Sequence, residues 1–490
     1  MPNYHTPSRT GRAGAIYGRG DVTNTTDKPV GGEPTVERAQ VAASLGHECR
    51  LQGLLAMPLV ATSLAELGMW YTDAMVVGRM GSVELAAVSL SGLLVWEILL
   101  AGVAVISVVG VIVGKAFGQG DRVASRRALQ QGLWVAVALI PPAMLVAWFL
   151  MDVLAFTNQD PDVLALGETY LHAMVWAIPP MLCYAALQHF LTGLSRPFVI
   201  TGTVWLVLPI NLALNYVLVF GAFGVPALGI AGAGYASSIV GWLMFFSLLA
   251  YMSVAKAIRP YRIFHELFVF HGETWRQIWR LGLPTAGTWM IYGSVFQLIT
   301  IFMGAFGAVA LAANHIAVSA LAFQSVLAEA LGEAASVRVA QETGAGRDAA
   351  ATRAGWLAIS VGAALGLPLA ICLWFNPDIL AAVFLDVGDP ANRETLVAAA
   401  GLAQIGAIMV VFEGVEIITG RCLRGIYDTY VPMWLAALGI WGLSLPAALI
   451  FAFTLDFGPG GLWYGMTVGA VATCALLLRR WRRLRAGSRA

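Results

Sequence analysis

The chain has 490 residues, of which 59% are hydrophobic and only 12% charged. Soluble domains average about 25% charged residues, so a soluble globular protein is excluded, even though length alone would suggest about three such domains. The net charge of +1 points to no nucleic-acid partner; what carries information is where the charges lie.

The first 40 or so residues are polar and rich in Gly and Thr, without a sustained apolar run. They are not a signal peptide and are expected to form a mobile tail. Asn24-Thr25-Thr26 is a glycosylation sequon, which a cytoplasmic tail would leave unused. Residues 35–50 are expected to form a short amphipathic helix leading into the first apolar run. A bilayer core of about 30 Å needs about 20 apolar helical residues. Twelve runs meet that need, near 53–78, 85–114, 127–150, 163–190, 198–220 and 228–253, then 280–303, 311–337, 354–375, 395–420, 431–453 and 460–478. Helices are preferred to strands because each run is long and unbroken, and backbone exposed to lipid must bond within its own segment.

Lys and Arg gather on alternate connections. One side has Arg38 and Arg50, Lys115 to Arg127, Arg196, the central connection, then Arg338 to Arg353, Arg421, Arg424 and Arg479 to Arg485. The other side is acidic or neutral, with Asp152, Asp160 and Asp162, then Asp378, Asp386 and Asp389, and Asp456. Only Arg79 and Arg393 break the pattern. The positive-inside rule then puts both termini in the cytoplasm.

The two halves are a hidden duplication. A shift of 226 positions, without a gap, lays Pro58 on Pro284, Gly78 on Gly304 and Gly81 on Gly307. It also lays Leu85-Ala86-Ala87 on Leu311-Ala312-Ala313, and Gly118-x-Gly120 on Gly344-x-Gly346. Each half has six spans, an even number, so both enter the membrane from the same side and their pseudo-twofold axis runs along the membrane normal. The expected organisation is a polar cytoplasmic tail over 1–50, an N-lobe over 51–253, a cytoplasmic linker over 254–280, a C-lobe over 281–478 and a basic tail over 479–490. Such a duplicated chain can work as a monomer. The five cysteines are scattered, with no CxxC, and are read as free thiols.

Pro58-x14-Asp73-x4-Gly78-x2-Gly81-x3-Leu85-Ala86-Ala87 and Leu281-Gly282-Leu283-Pro284 with Met303-Gly304-x-Phe306-Gly307 resemble the multidrug and toxin extrusion (MATE) family, NorM-like. Gly344-Ala345-Gly346, Phe190-Leu191-x-Gly193-x3-Pro197 and Leu423-Arg424-Gly425 add to the likeness, which runs in unbroken order from about 51 to 478. The resemblance implies an all-α polytopic membrane protein, twelve transmembrane helices in two six-helix lobes forming a V. It also implies export of organic cations in exchange for H⁺ or Na⁺ across the cell (inner) membrane, with no other cofactor.

Asp73 lies deep in the first span, where a charge costs roughly 2.5–3.5 kcal/mol on insertion scales. It is expected to face a cavity or a partner and to bind and release a cation; the bland alternative is an Asp that caps a broken helix. It matches the membrane-embedded Asp of the family's first helix. Glu66, seven residues earlier, lies on the same helical face, where relatives often carry Gln; it is either a second coupling acid or a Glu bonded to a neighbouring helix. Asn211 and Asn215, four apart in the fifth span, match the family's polar partners of that Asp. Their amide oxygens can ligate Na⁺ or their NH2 groups can bond the carboxylate; otherwise they are interhelical glue. Ser237 can add a hydroxyl.

Glu413 and Glu416, three apart in the tenth span, are candidates for cation or substrate binding, and Glu413 matches the second-lobe acid of NorM-type members. The family's other second-lobe acid falls at Tyr292, a departure: a phenol does not cycle as a carboxylate does, but it can hydrogen-bond or stack on a cation. Glu329 and Glu333, one turn apart in the eighth span, either replace that acid or are satisfied by Arg338. Glu97 is read as structural. Trp70, Tyr71, Trp96, Trp205 and Trp289 offer faces for a flat cation, or are interfacial anchors. His172 and His189 are read as polar packing, since a metal site needs more ligands than the sequence offers.

Two transporter alternatives stay open. One is a major-facilitator protein, for which the spacing of Gly118-x2-Asp121-Arg122-x3-Arg126-Arg127 is wrong. The other is a lipid-linked oligosaccharide flippase, which should carry more cationic residues in its spans. No nucleotide loop, metal cluster or nucleophile motif is present in a fitting context, so an enzyme is not expected.

Overall fold

A computed structural model describes residues 34–157, 160–377 and 389–486. The sequon at Asn24, the Arg38 side chain and the acidic residues Asp378 and Asp386 lie outside the described residues. Contacts divide the chain into Met1–Gly46, whose described part is helical, and His47–Ala490.

The second unit carries the helices long and apolar enough to cross a membrane, twelve among the described residues. The N-lobe helices are α1 (Gly46–Gly78), α2 (Ser82–Gln119), α3 (Arg122–Trp148), α4 (Pro161–Gly193), α5 (Pro197–Phe220) and α6 (Ile230–Val254). The C-lobe helices are α7 (Gly272–Gly304), α8 (Ala308–Gly344), α9 (Asp348–Phe375), α10 (Arg393–Gly425), α11 (Tyr430–Thr454) and α12 (Gly458–Ala486). No strand occurs among the described residues. Several helices outrun their apolar stretches: α1 begins at Gly46 rather than near 53 and α7 at Gly272 rather than near 280, while α8 continues to Gly344 and α12 to Ala486. Backbone hydrogen bonding does not stop where hydropathy does; a helix ends at a breaker or a cap. The connection left between α6 and α7 is anchored on α3. Gln130 Nε2 donates to the carbonyls of Ile263 (3.0 Å) and His265 (2.7 Å), and Arg126 pairs with Glu266 at 2.6 Å.

The duplication survives in three dimensions. Pro58 in α1 and Pro284 in α7 each have a threonine one turn on whose hydroxyl bonds the proline carbonyl, Thr62 and Thr288, both at 2.9 Å. Helices α4 and α10 end alike: Ser195 and Tyr427 both adopt left-handed φ, 59° and 68°. The next amides, Arg196 and Asp428, reach back to Leu191 and Leu423 at 2.9 and 3.0 Å, the closing turn of a Schellman motif. The repeat offset is 226 through α9 and 232 in α10, because the C-lobe has six extra residues between α9 and α10; it is 229 at the start of α12, where Gly458 and Tyr464 answer Gly229 and Tyr235.

The lobes meet through reciprocal contacts at the basic ends of α2 and α8. A Cβ on Gly118 would lie 2.0 Å from the Gln341 carbonyl oxygen, and one on Gly344 would lie 2.1 Å from that of Lys115. Gly118 and Gly344 are repeat equivalents, as are Lys115 and Gln341. Lys115 Nζ sits 4.4 Å over the Tyr427 ring, while Gln341 Nε2 donates to Ser195 Oγ at 2.8 Å. Residue i touching j while i's equivalent touches j's equivalent is the signature of a twofold interface. Each lobe's first helix also leans on the other lobe. Leu55, Ala56 and Leu59 of α1 share a core with Leu331 of α8 and Ile359 of α9, and Gly282 of α7 packs against the Val105 backbone of α2.

The charge pattern needs one correction. Many of the basic residues counted above with the connections lie inside helices, Lys115, Arg126, Arg127 and Arg353 near helix ends as well as Arg338, Arg421 and Arg424 in α8 and α10; Arg126, Arg338 and Arg424 are buried. Lysines and arginines of the true connections keep the two-sided bias without them. All five cysteines are free.

Candidate functional site

The N-lobe holds one polar cluster among α1, α5 and α6. Asn215 Nδ2 donates to Asp73 Oδ1 at 2.6 Å, and Ser237 Oγ lies 3.5 Å from Oδ2. A hydrogen bond to an ionised acceptor is shorter and about twice as strong as a neutral one, which fits the 2.6 Å contact. Thr72 donates to Asn211 Oδ1 at 2.9 Å, so the side chain beside Asp73 orients one of the two asparagines. Asn211 and Asn215 are fully buried, and Asn215 Oδ1 has no hydrogen-bond partner among the described residues. A buried carbonyl oxygen left open beside a carboxylate is a ready ligand for a small cation. The buried Tyr170 faces the same cluster through Ser237. Thr72 and Tyr170 were not singled out from the sequence; the i−1 position of Thr72 beside Asp73 was the only signal for the first, and the second has none.

The C-lobe holds two acids in a cleft lined by Tyr292, Phe296, Glu413, Glu416, Ser444 and Met466. Ser325 of α8 donates to Glu413 Oε1 at 2.9 Å, while Glu413 Oε2 is buried without a partner. The Tyr292 hydroxyl hydrogen-bonds the buried Glu416 carboxylate. Each lobe thus presents a carboxylate cluster with an open buried oxygen, Asn215 Oδ1 in one and Glu413 Oε2 in the other; Glu333 Oε1 of the C-lobe is likewise buried without a hydrogen-bond partner among the described residues.

The repeat relates these sites in a way no periodicity shows. With the offsets of 226 for α1 and 232 for α4, Glu66 corresponds to Tyr292 and Tyr184 to Glu416. The acid–phenol pair of the C-lobe therefore has an N-lobe counterpart with acid and phenol exchanged. Tyr184 is buried with an unpartnered hydroxyl and lies within the field of Glu66. Glu66 and Asp73 share α1, and no hydrogen bond joins Glu66 to the Asp73 cluster among the described residues.

Glu329 and Glu333 are not held by Arg338, which instead pairs with Glu48 and Glu342 at 2.9 and 2.8 Å. Their partners are on α10. Arg421 pairs with both, at 2.9 Å to Glu333, and Arg424 pairs with Glu333. His189 Nδ1 of α4 lies 3.4 Å from Glu333 Oε1, and Arg424 Nη1 donates to Ser107 Oγ of α2 at 2.9 Å. The two glutamates therefore belong to a charge network separate from the Glu413–Glu416 cleft. Glu97 of α2 is exposed and points toward Gly293 of α7.

The aromatics divide. Trp70, Tyr71 and Trp96 are more than half exposed. Trp205 bonds the Ala61 carbonyl through Nε1 at 3.1 Å, and the Trp289 ring already carries the Arg421 guanidinium, 5.5 Å from its centroid. His172 stacks on Trp148, with ring centroids 4.0 Å apart. No group of three His, Cys, Asp or Glu suited to a metal occurs among the described residues.

These features have close parallels. The MatE family model matches residues 58–217 and 284–450, two segments whose starts are 226 residues apart. The probable multidrug resistance protein NorM of Mesorhizobium japonicum is 33% identical over 446 residues, covering 89% of this chain and 94% of that protein. The protein of the same name from Rhodopseudomonas palustris is 33% identical over 433 residues, covering 88% and 90%. The crystal structure of the eukaryotic MATE transporter AtDTX14 superposes with a TM-score of 0.81 at 20% identity, over 91% of this chain and 99% of that one. A twice-matched family model, relatives that span nearly the whole length and a shared two-lobe fold agree, so the chain belongs to the MatE family and is a multi-pass membrane transporter, not an enzyme.

Proposed function

We propose that the protein is a secondary antiporter that exports organic cations in exchange for H⁺ or Na⁺, by alternating access of its two lobes. The observation that carries this reading is the Asp73 cluster: a carboxylate in a membrane helix, held by Asn215 and Ser237, with an unpartnered amide oxygen alongside. Binding a proton or Na⁺ there neutralises a charge that is otherwise costly at that depth. The acids Glu413 and Glu416 supply negative charge in the other lobe. Embedded acids suit cationic substrates better than the anionic headgroups a flippase handles, and the relatives' name, multidrug resistance protein, agrees with efflux. Family membership leaves no place for the major-facilitator alternative.

Two cation sites have an energetic logic. Expelling a monovalent cation against an inside-negative potential costs about 2.3 kcal/mol per 100 mV. One incoming cation cancels that cost; two recruit the voltage as a driving force. Asp73, with Asn211, Asn215 and Ser237, is assigned to one site and Glu413 to the other. Glu416 and Tyr292 border the substrate side of the C-lobe cleft. The protein is placed in the cell membrane with both termini cytoplasmic, working as a monomer.

The test is ethidium movement in proteoliposomes under an imposed pH gradient and, separately, an imposed Na⁺ gradient, in wild type and Asp73→Asn. Movement driven by one gradient and lost in the variant is the expected result. Gradient-driven movement that persists unchanged in Asp73→Asn removes Asp73 from coupling, and no movement in wild type under either gradient overturns the antiport reading.

A further inference from the structure

We infer that Glu333 is a positioning residue for lobe closure: with His189 and Arg424 it latches the two lobes together at their basic ends. The inference rests on the alternating-access reading, because a latch has meaning only where the lobes part.

The network crosses the lobe boundary twice. His189 of the N-lobe faces Glu333 of the C-lobe at 3.4 Å, and Arg424 of the C-lobe donates to Ser107 of the N-lobe at 2.9 Å. Its position follows from the repeat. Ser107 and Glu333 are equivalents at an offset of 226, and Arg424 bonds both. His189 and Arg421 are equivalents at 232, and Glu333 contacts both. A residue that bridges two repeat-related positions sits on the axis relating them. The cluster therefore straddles the pseudo-twofold, where rocking lobes must separate it.

Its chemistry suits a latch rather than a cation site. Glu329 and Glu333 are balanced by Arg421 and Arg424, which leaves no net negative charge to attract an organic cation. Glu333 and Arg424 are only 8% and 4% exposed. The Glu333–Arg424 pair lies within the C-lobe; parting the lobes takes away its N-lobe neighbours Ser107 and His189, and buried polar groups that lose a partner disfavour the open arrangement. Helix α10 carries Glu413 and Glu416 two turns before Arg421 and Arg424. One continuous helix therefore joins the C-lobe acids to the latch, so a displacement of α10 at one is carried to the other.

The experiment is a spin-label distance measurement between Val123→Cys on the N-lobe and Ala349→Cys on the C-lobe, both exposed, with the five native cysteines replaced. In the full-length protein reconstituted in nanodiscs, Glu333→Gln is expected to lower the closed-to-open ratio at this end at least tenfold, with a longer distance appearing. Glu333→Asp, which keeps the charge on a shorter stem, is expected to restore most of the closed population. His189→Gln, a milder change that removes one of the two crossings, is expected to shift the ratio in the same direction by a smaller factor, and it serves if Glu333→Gln does not fold. Distance distributions identical to wild type in the folded variants overturn the latch. So does an equal shift in Glu333→Asp and Glu333→Gln, which would mark a packing defect. The distances are read without transport, so failure of the ethidium assay in wild type overturns the antiport reading and leaves this result standing on its own.

Discussion

The reciprocal glycine contact between α2 and α8 allows a sharp prediction about lobe closure. In Gly118→Ala the new methyl carbon would sit 2.0 Å from the Gln341 carbonyl oxygen, and in Gly344→Ala 2.1 Å from that of Lys115. Real Cβ atoms essentially never come closer than 3.0 Å, and both offending atoms are backbone of a long helix, which cannot swing aside as a side chain does. The basic ends of the two helices must therefore part by at least about 1 Å in either variant. Overpacking of this kind costs typically about 1–3 kcal/mol, or roughly 5- to 150-fold in the closed-to-open ratio. One parting movement relieves both clashes, since they lie on either side of the same axis. The double variant should consequently cost clearly less than the sum of the two single ones, the non-additivity expected of coupled sites. The Val123–Ala349 spin-label distance reads this directly, and thermal melting in detergent gives a second measure. Single variants that leave the distance distribution unchanged, or a double variant whose effect is the full sum, would refute the reasoning.

Two further outcomes follow from the C-lobe cleft. Tyr292→Phe removes the phenolic donor from Glu416, which is 2% exposed and has no other side-chain hydrogen bond among the described residues. An unsatisfied buried acceptor costs about 1–3 kcal/mol, so the melting temperature should fall by a few degrees; an unchanged melt would mean that another group or water replaces the phenol. Glu413→Gln keeps a group able to accept from Ser325 but takes up no proton and offers Na⁺ only a neutral oxygen, so transport that was electrogenic should become less so. Retained transport with the same charge movement per cycle would exclude Glu413 as a second coupling site.

Much of the architecture was legible in the residues alone. Twelve apolar runs, a 226-residue repeat that runs without a gap from Pro58 to Gly120 and two prolines in register specify paired six-helix lobes, because a helix in lipid must satisfy its backbone within one segment and that constraint is local. The Asp73–Asn215 contact was also accessible, through the resemblance of single residues to family positions. What the sequence could not give was any pairing between residues on different helices that the resemblance did not already name. Glu333 had a basic residue five positions away, yet its partners proved to be 88 and 91 residues on, with a histidine from the other lobe. The six residues inserted between α9 and α10 hid the register of α10, and with it the correspondence of Tyr184 to Glu416, which completes that of Glu66 to Tyr292. Periodicity fixes which face of a helix is apolar. Which helix lies against that face, and at what height, depends on close approach of backbones such as Gly118 to Gln341, and that is a property of the packed structure alone.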